Sequence, residues 1–145
     1  MLAAVFTELF DQRVDVAGTL LKPNMVLSGY ESASRAGIDE VAAQSLHTYY
    51  KHVPASVPGI VFLSGGQSDE DATAHLNAMN ERGPHPWQLS FSYGRALQAP
   101  SLHAWGGKPE NVEAGQRAYY HRAKMNGAAR SGLYAPEMER EAVAV

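Results

Sequence analysis

The chain predicts an α/β fold, a parallel sheet with helices, preceded by one helix. Two observations carry that prediction. Three apolar runs of strand length, VAGTLL at 16–21, GIVFL at 59–63 and WQLSFS at 87–92, are each followed by a turn and then by helical sequence. Strands alternating with helices at this spacing make βαβ units, whose strands lie parallel. The runs are also near-continuous rather than alternating, as strands covered on both faces are.

Each element has its own justification. Leu2, Val5, Phe6, Leu9 and Phe10 fall at i, i+3, i+4, i+7 and i+8, one face of an amphipathic helix. After the first strand, a polar stretch from Ser28 to Gly37 leads to a second helical pattern of Ile38, Val41, Ala42, Ser45, Leu46 and Tyr49. Asp39 and Glu40 open that helix and Lys51 and His52 close it, the order its dipole favours. A Pro-rich link (53–58) precedes the second strand. SGG ends this strand, and Ser68 then stands as N-cap before Asp69, Glu70 and Asp71. A turn cluster from Arg82 to Pro86 precedes the third strand, and YGRALQ opens further helix. GGKPEN restarts a last helix, with Val112, Tyr119 and Ala123 expected on its apolar side. Trp87, Trp105, Tyr119 and Tyr120 read as packing residues.

Composition narrows the function. At 145 residues one domain is expected, able to bury roughly 70% of its unfolded surface. There are no cysteines, which removes disulfides and thiolate metal sites and fits a reducing compartment, so a cytoplasmic location is expected. No apolar stretch is long enough to span a membrane, and MLAAVFTELF lacks the basic start of a signal peptide. The net charge of −3, without a basic stripe, argues against nucleic acid. None of the six histidines has H-x-x-x-H or H-E-x-x-H spacing, so no metal is expected. Neither Ser64 nor Ser92 lies in a G-x-S-x-G context, which disfavours serine hydrolysis.

In parallel α/β sheets, function gathers at the carboxyl ends of the strands. Lys22 ends the first. A lysine held where a buried strand meets a partly dry cavity is poorly solvated, which favours the free amine, a nucleophile toward carbonyls. The other reading is a snorkelling lysine with its head in water. At the second end, Ser64, Gly65 and Gly66 form a loop whose N–H groups and hydroxyl could hold an anion, or simply a strand-to-helix turn. At the third, Ser92 donates, Gly94 exposes its N–H, and Arg95 either clamps a phosphate or is a surface arginine. Taken together, the three ends describe a pocket for a phosphorylated carbonyl compound.

The stretches GTLLKPNMV, GIVFLSGGQSDEDA, LNAMN, PW-x-LSFSYGRALQ, AWGGKPEN and GLYAP carry a resemblance, from Leu2 to about Pro136. In order and spacing they resemble class I fructose-bisphosphate aldolase. The resemblance implies a (β/α)8 TIM barrel of which this chain supplies the last three βα units, a partial barrel over 1–135 followed by a tail at 136–145. It implies reversible cleavage of fructose 1,6-bisphosphate to dihydroxyacetone phosphate and glyceraldehyde 3-phosphate in glycolysis, without metal or cofactor. Lys22 matches the Schiff-base lysine; Ser64, Gly65 and Gly66 match one part of a substrate phosphate site, and Ser92, Gly94 and Arg95 another. The family inference for assembly is a homo-oligomer, a tetramer.

Several departures qualify the match. The aspartate, second lysine and glutamates that the family brings from earlier strands for proton transfer have no counterpart. The chain ends in AVAV where many eukaryotic members end on a tyrosine. Ser28 replaces a usual proline, and Pro100 is expected to mark a break or a new helix start where the family helix continues. The expected object is therefore a fragment with open sheet edges, prone to oligomerise or aggregate. The alternative function is a non-catalytic fragment that binds sugar phosphate or takes part in interactions.

Overall fold

Asp15 and Ser68 each hold a backbone N–H with a carboxylate or hydroxyl oxygen, and these local bonds decide where elements start. Ser68 accepts from the Asp71 N–H at 3.0 Å, capping the helix as predicted. Asp15 accepts from the Ala17 N–H at 3.0 Å, and Thr19 returns both its N–H and its hydroxyl to the Val16 carbonyl. Val16–Gly18 is therefore a 3-10 turn, and the first strand is shorter than the apolar run suggests.

The computed structural model describes residues 1–140. In chain order it runs α1 (Leu2–Asp11), β1 (Leu20–Leu21), α2 (Ile38–His52), β2 (Gly59–Phe62), α3 (Asp69–Asn80), β3 (Gln88–Phe91), α4 (Arg95–Trp105) and α5 (Val112–Arg130). Further 3-10 turns lie at Pro109–Asn111 and Pro136–Arg140. The strands form one parallel sheet in the order β1-β2-β3, with Leu21 beside Ile60, Ile60 beside Leu89, and Phe62 beside Phe91. No described helix is long and apolar enough to cross a membrane.

The core lies between the sheet and its helices. Ile60, Phe62 and Leu89 are buried with Tyr49, Leu76, Met79 and Met125, and each such side chain contributes about 1.5–3 kcal/mol of transfer free energy. The α2 face buries Val41, Ala42, Ser45, Leu46 and Tyr49, as its periodicity predicts. The other sheet face departs from expectation: Leu20 is 63% exposed, and Val61 and Ser90 are only partly covered. Near-continuous apolar strands imply two covered faces, but the described residues cover one. On α1 the predicted face is half covered, with Leu2 and Phe6 against the core and Phe10 exposed.

Two further expectations fail for identifiable reasons. Pro100 sits inside α4 without ending it. It forfeits one bond, to the Ala96 carbonyl, while α4 is braced against α5 by the Ser101 hydroxyl donating to the Gly115 carbonyl at 2.7 Å. The two helices approach so closely at Gly115 that an added Cβ would lie 3.0 Å from that of Trp105. Along α5, Val112 and Tyr119 are exposed and Ala123 only partly buried, while Gly115, Arg122, Met125, Asn126 and Ala129 form the buried face. Polar residues hold that face: Arg122 donates to Thr73 Oγ1 at 2.6 Å and Glu139 Oε2 at 2.6 Å, and Thr73 donates to Asn126 Oδ1. Of the four predicted packing aromatics only Trp87 is buried, donating to the Pro54 carbonyl at 2.9 Å; Trp105, Tyr119 and Tyr120 are exposed.

Candidate functional site

The ladder continues past the strand ends, and this aligns the three candidate segments. Leu63 N–H donates to the Pro23 carbonyl at 3.0 Å, and Ser92 N–H to that of Phe62 at 2.8 Å. In this register Lys22 stands level with Val61 and Ser90. Ser92 lies two residues further along and Ser64 three. At about 3.3 Å per residue and 4.8 Å per strand, both serine Cα atoms fall within roughly 12 Å of that of Lys22. All three segments therefore sit at one carboxyl edge. A lysine side chain and a small phosphorylated carbonyl compound together span such a gap.

Lys22 itself corrects an expectation. It is exposed, and it makes no hydrogen bond or ion pair among the described residues. The reason is its strand: β1 has two residues, stands at the sheet edge, and points Lys22 to the uncovered face. The described residues supply no dry wall around its amine.

The second loop is closely determined. Gly65 and Gly66 have φ of 56° and 81°, a region other residues avoid. A Cβ on Gly65 would stand 2.1 Å from Asn24 Oδ1, and one on Gly66 3.0 Å from the Tyr30 hydroxyl. Ser64 is buried, and its carbonyl accepts both the N–H (3.0 Å) and the side-chain amide (2.9 Å) of Gln67. The N–H groups of Gly65 and Gly66 make no hydrogen bond among the described residues. They are free to receive an anion.

At the third end, Gly94 precedes α4 and its carbonyl accepts from Leu97 and Gln98. The N–H groups of Arg95 and Ala96 are the unpaired donors of a helix start, and the Arg95 side chain is exposed beside them. Tyr93 anchors this corner, donating from a buried hydroxyl to the Ala72 carbonyl at 2.7 Å. Burial pushes its phenol well above the ordinary value.

Cavities divide the candidates. One of about 680 Å³ is lined by Asn24, Tyr30, Arg35, Gly65, Gln67 and His75, among others, but not by Lys22, Ser92, Gly94 or Arg95. Gly66 lines it too, so it adjoins the glycine loop. A larger one of about 1020 Å³ is lined by residues of α4 and α5, among them Trp105, Gly115 and Tyr119, and holds none of the candidate residues. Sequence reading passed over Tyr30 and His75; Gln67 lay in view within FLSGGQS without a role.

A family model described as glycolytic, fructose-bisphosphate aldolase class I, matches residues 1–144. The chain belongs to this family. It is 54% identical over 138 residues to fructose-bisphosphate aldolase 2 of Caenorhabditis elegans, covering 94% of this chain and 38% of that protein. It is 51% identical over 135 residues to the cytosolic fructose-bisphosphate aldolase 4 of Arabidopsis thaliana, covering 92% and 34%. Among solved structures, the Plasmodium falciparum fructose-bisphosphate aldolase, in complex with TRAP and a small-molecule inhibitor, superposes with a TM-score of 0.90. That match has 47% identity and covers 92% of this chain and 39% of the other. The chain thus spans a little over a third of the length of these relatives.

Proposed function

We propose that this chain carries the imine-forming and phosphate-binding part of a class I fructose-bisphosphate aldolase. The whole protein would cleave fructose 1,6-bisphosphate reversibly to dihydroxyacetone phosphate and glyceraldehyde 3-phosphate, a glycolytic reaction run in the cytoplasm without metal or cofactor. In this reading residues 1–135 are three βα units of a (β/α)8 barrel. Residues 136–145 are a tail whose first turn is tied to α5 through Glu139. Two features support the partial barrel: the uncovered sheet face that carries Lys22, and the unpaired outer edges of β1 and β3 among the described residues. A homo-oligomer is proposed for the whole protein.

The observation that carries the reading is the shared register of the three strand ends. The Lys22 amine attacks the substrate carbonyl carbon, and loss of water leaves a protonated imine that accepts the electron pair of the breaking C–C bond. Ser64, Gly65 and Gly66 on one side and Ser92, Gly94 and Arg95 on the other bind phosphate through N–H groups, hydroxyls and a guanidinium. The family's proton-transfer groups have no counterpart among these residues. Phosphate binding and slow imine formation are therefore the activities expected of this chain alone.

One observation favours the second reading, a sugar-phosphate-binding segment without catalysis: Lys22 pairs with no carboxylate among the described residues. Borohydride reduction with dihydroxyacetone phosphate, followed by peptide mass mapping, separates the two. An adduct on Lys22 supports imine chemistry. Phosphate binding without an adduct supports the second reading, with turnover returning only when the family's preceding strands are added.

A further inference from the structure

The glycine loop presents two unpaired N–H groups, and nothing in a Gly-Gly sequence alone would keep them aimed. Two side chains supply the aim. The Ser64 carbonyl is held by Gln67 through both its N–H and its side-chain amide. The Gly65 carbonyl accepts the Tyr30 hydroxyl at 2.8 Å. A trans peptide is planar, with its C=O and N–H pointing opposite ways. Fixing the Ser64 carbonyl therefore fixes the Gly65 N–H, and fixing the Gly65 carbonyl fixes the Gly66 N–H. Tyr30 and Gln67 line one cavity together with Gly65 and Gly66, so each held carbonyl turns its peptide's N–H the opposite way.

Each holding side chain is itself held. The Gln67 amide nitrogen donates to the Ser64 carbonyl and faces Met25 Sδ at 3.6 Å, which leaves its oxygen toward His75 Nδ1. Reversing the amide would set two oxygens against each other, so His75 Nδ1 carries the proton and Nε2 is a buried lone pair. His75 is 6% exposed; burial lowers its pKa, outweighing the opposite pull of Asp71 on the same helix. Arg35, from the loop before α2, lines the cavity with it. The Tyr30 carbonyl accepts from Arg35 Nη2 at 3.0 Å, bracing the segment from which the phenol reaches the loop.

We propose that Tyr30 and Gln67, the latter fixed by His75, are positioning residues that preset the Gly65 and Gly66 N–H groups for one phosphate. The inference rests on the phosphate role given to this loop under Proposed function. Glycine loses the most backbone freedom on ordering, so a loop ordered beforehand binds its anion without that entropic cost. Tyr30, Gln67 and His75, which line the 680 Å³ cavity beside the loop, then form its support.

The test uses the 145-residue chain, inorganic phosphate as probe, and amide NMR as readout. In the parent, phosphate shifts the Gly65 and Gly66 amide resonances, and without phosphate their N–H to Hα couplings report one fixed conformation. Y30F and Q67E each remove one clamp while keeping side-chain shape. Each is expected to weaken phosphate about fivefold, the loss of roughly one hydrogen bond, and to average the couplings. H75N restores a donor to Gln67 Oε1 and is expected to bind like the parent, whereas H75L behaves like Q67E. Folded Y30F and Q67E with parental affinity and couplings would overturn the positioning role. A parent whose couplings respond to the variants but whose Gly65 and Gly66 amides ignore phosphate would instead overturn the phosphate reading itself.

Discussion

Replacing Glu139 by alanine strips Arg122 of its nearest carboxylate. Arg122 Nη1 and Glu139 Oε2 lie 2.6 Å apart, with side chains only 3% and 11% exposed. Breaking a buried pair by removing one partner costs about 3–5 kcal/mol. Arg122 keeps the Asp69 carboxylate at 3.5 Å, the Asp69 carbonyl at 3.1 Å and the Thr73 hydroxyl at 2.6 Å, which reduces the expected loss. His121 Nε2 and the Tyr134 hydroxyl also lose their bonds to Glu139, at 2.8 Å and 3.0 Å. The net expectation is about 2–3 kcal/mol, a fall in Tm of roughly 6–10 °C for a chain of this size. Urea denaturation followed by far-UV circular dichroism measures it. Glu137→Ala is the control, because Glu137 is exposed in the same turn and a change within about 0.5 kcal/mol is expected there. Equal midpoints for the two variants would refute the claim that a buried ion pair ties the Pro136–Arg140 turn to α5.

Four other outcomes follow. Gly65→Ala forces a φ of 56° on a residue with a Cβ and should cost about 1–2 kcal/mol in urea titration. Gly94→Ala meets open space at negative φ and should cost only about 0.5–1 kcal/mol, the difference between glycine and alanine as the N-cap of α4. Arg95→Met should weaken inorganic phosphate about tenfold by calorimetry without moving the urea midpoint, since Arg95 is exposed and charge-assisted bonds contribute roughly 1.5–3 kcal/mol. Acid should lower the chain's stability in two steps. Burial depresses the His75 pKa, so its contribution is complete above the ordinary value of 6.5 and is lost as pH falls through the lowered folded value. Burial pushes the Glu139 carboxyl up, but hydrogen bonds from Arg122, His121 and Tyr134 outweigh it and leave it below 4.5. Its stabilisation is therefore complete above 4.5 and lost at more acid pH. Urea midpoints measured across pH should lose the upper step in H75N and the lower one in E139Q.

What the sequence made legible depends on the range of the interactions. The α2 face and the Ser68 cap are local, set by periodicity and a three-residue reach, and both read correctly. The first strand misread because one side chain, Asp15, redirected the backbone within an apolar run. The buried face of α5 was invisible to hydrophobic periodicity because Arg122, Asn126 and Gly115 compose it, each matched to a partner on another element. In the candidate site, residue types at strand ends were readable from Lys-Pro, Ser-Gly-Gly and Gly-Arg. The Tyr30 bond to Gly65 spans 35 residues, and no local pattern announces it. The exposure of Lys22 was equally hidden, because a strand's neighbours on the sheet, not its own residues, decide its solvation.

Lys22 is where the account is most directly tested. The folded 145-residue chain is incubated with dihydroxyacetone phosphate, reduced with borohydride, digested and mapped by mass, with Lys22→Met in parallel. The expected product is a reduced three-carbon phosphate adduct on the peptide that holds Lys22, absent from the variant and suppressed by excess inorganic phosphate. A folded chain that yields no adduct on Lys22, or the same adduct on exposed lysines such as Lys51 and Lys108, would contradict it.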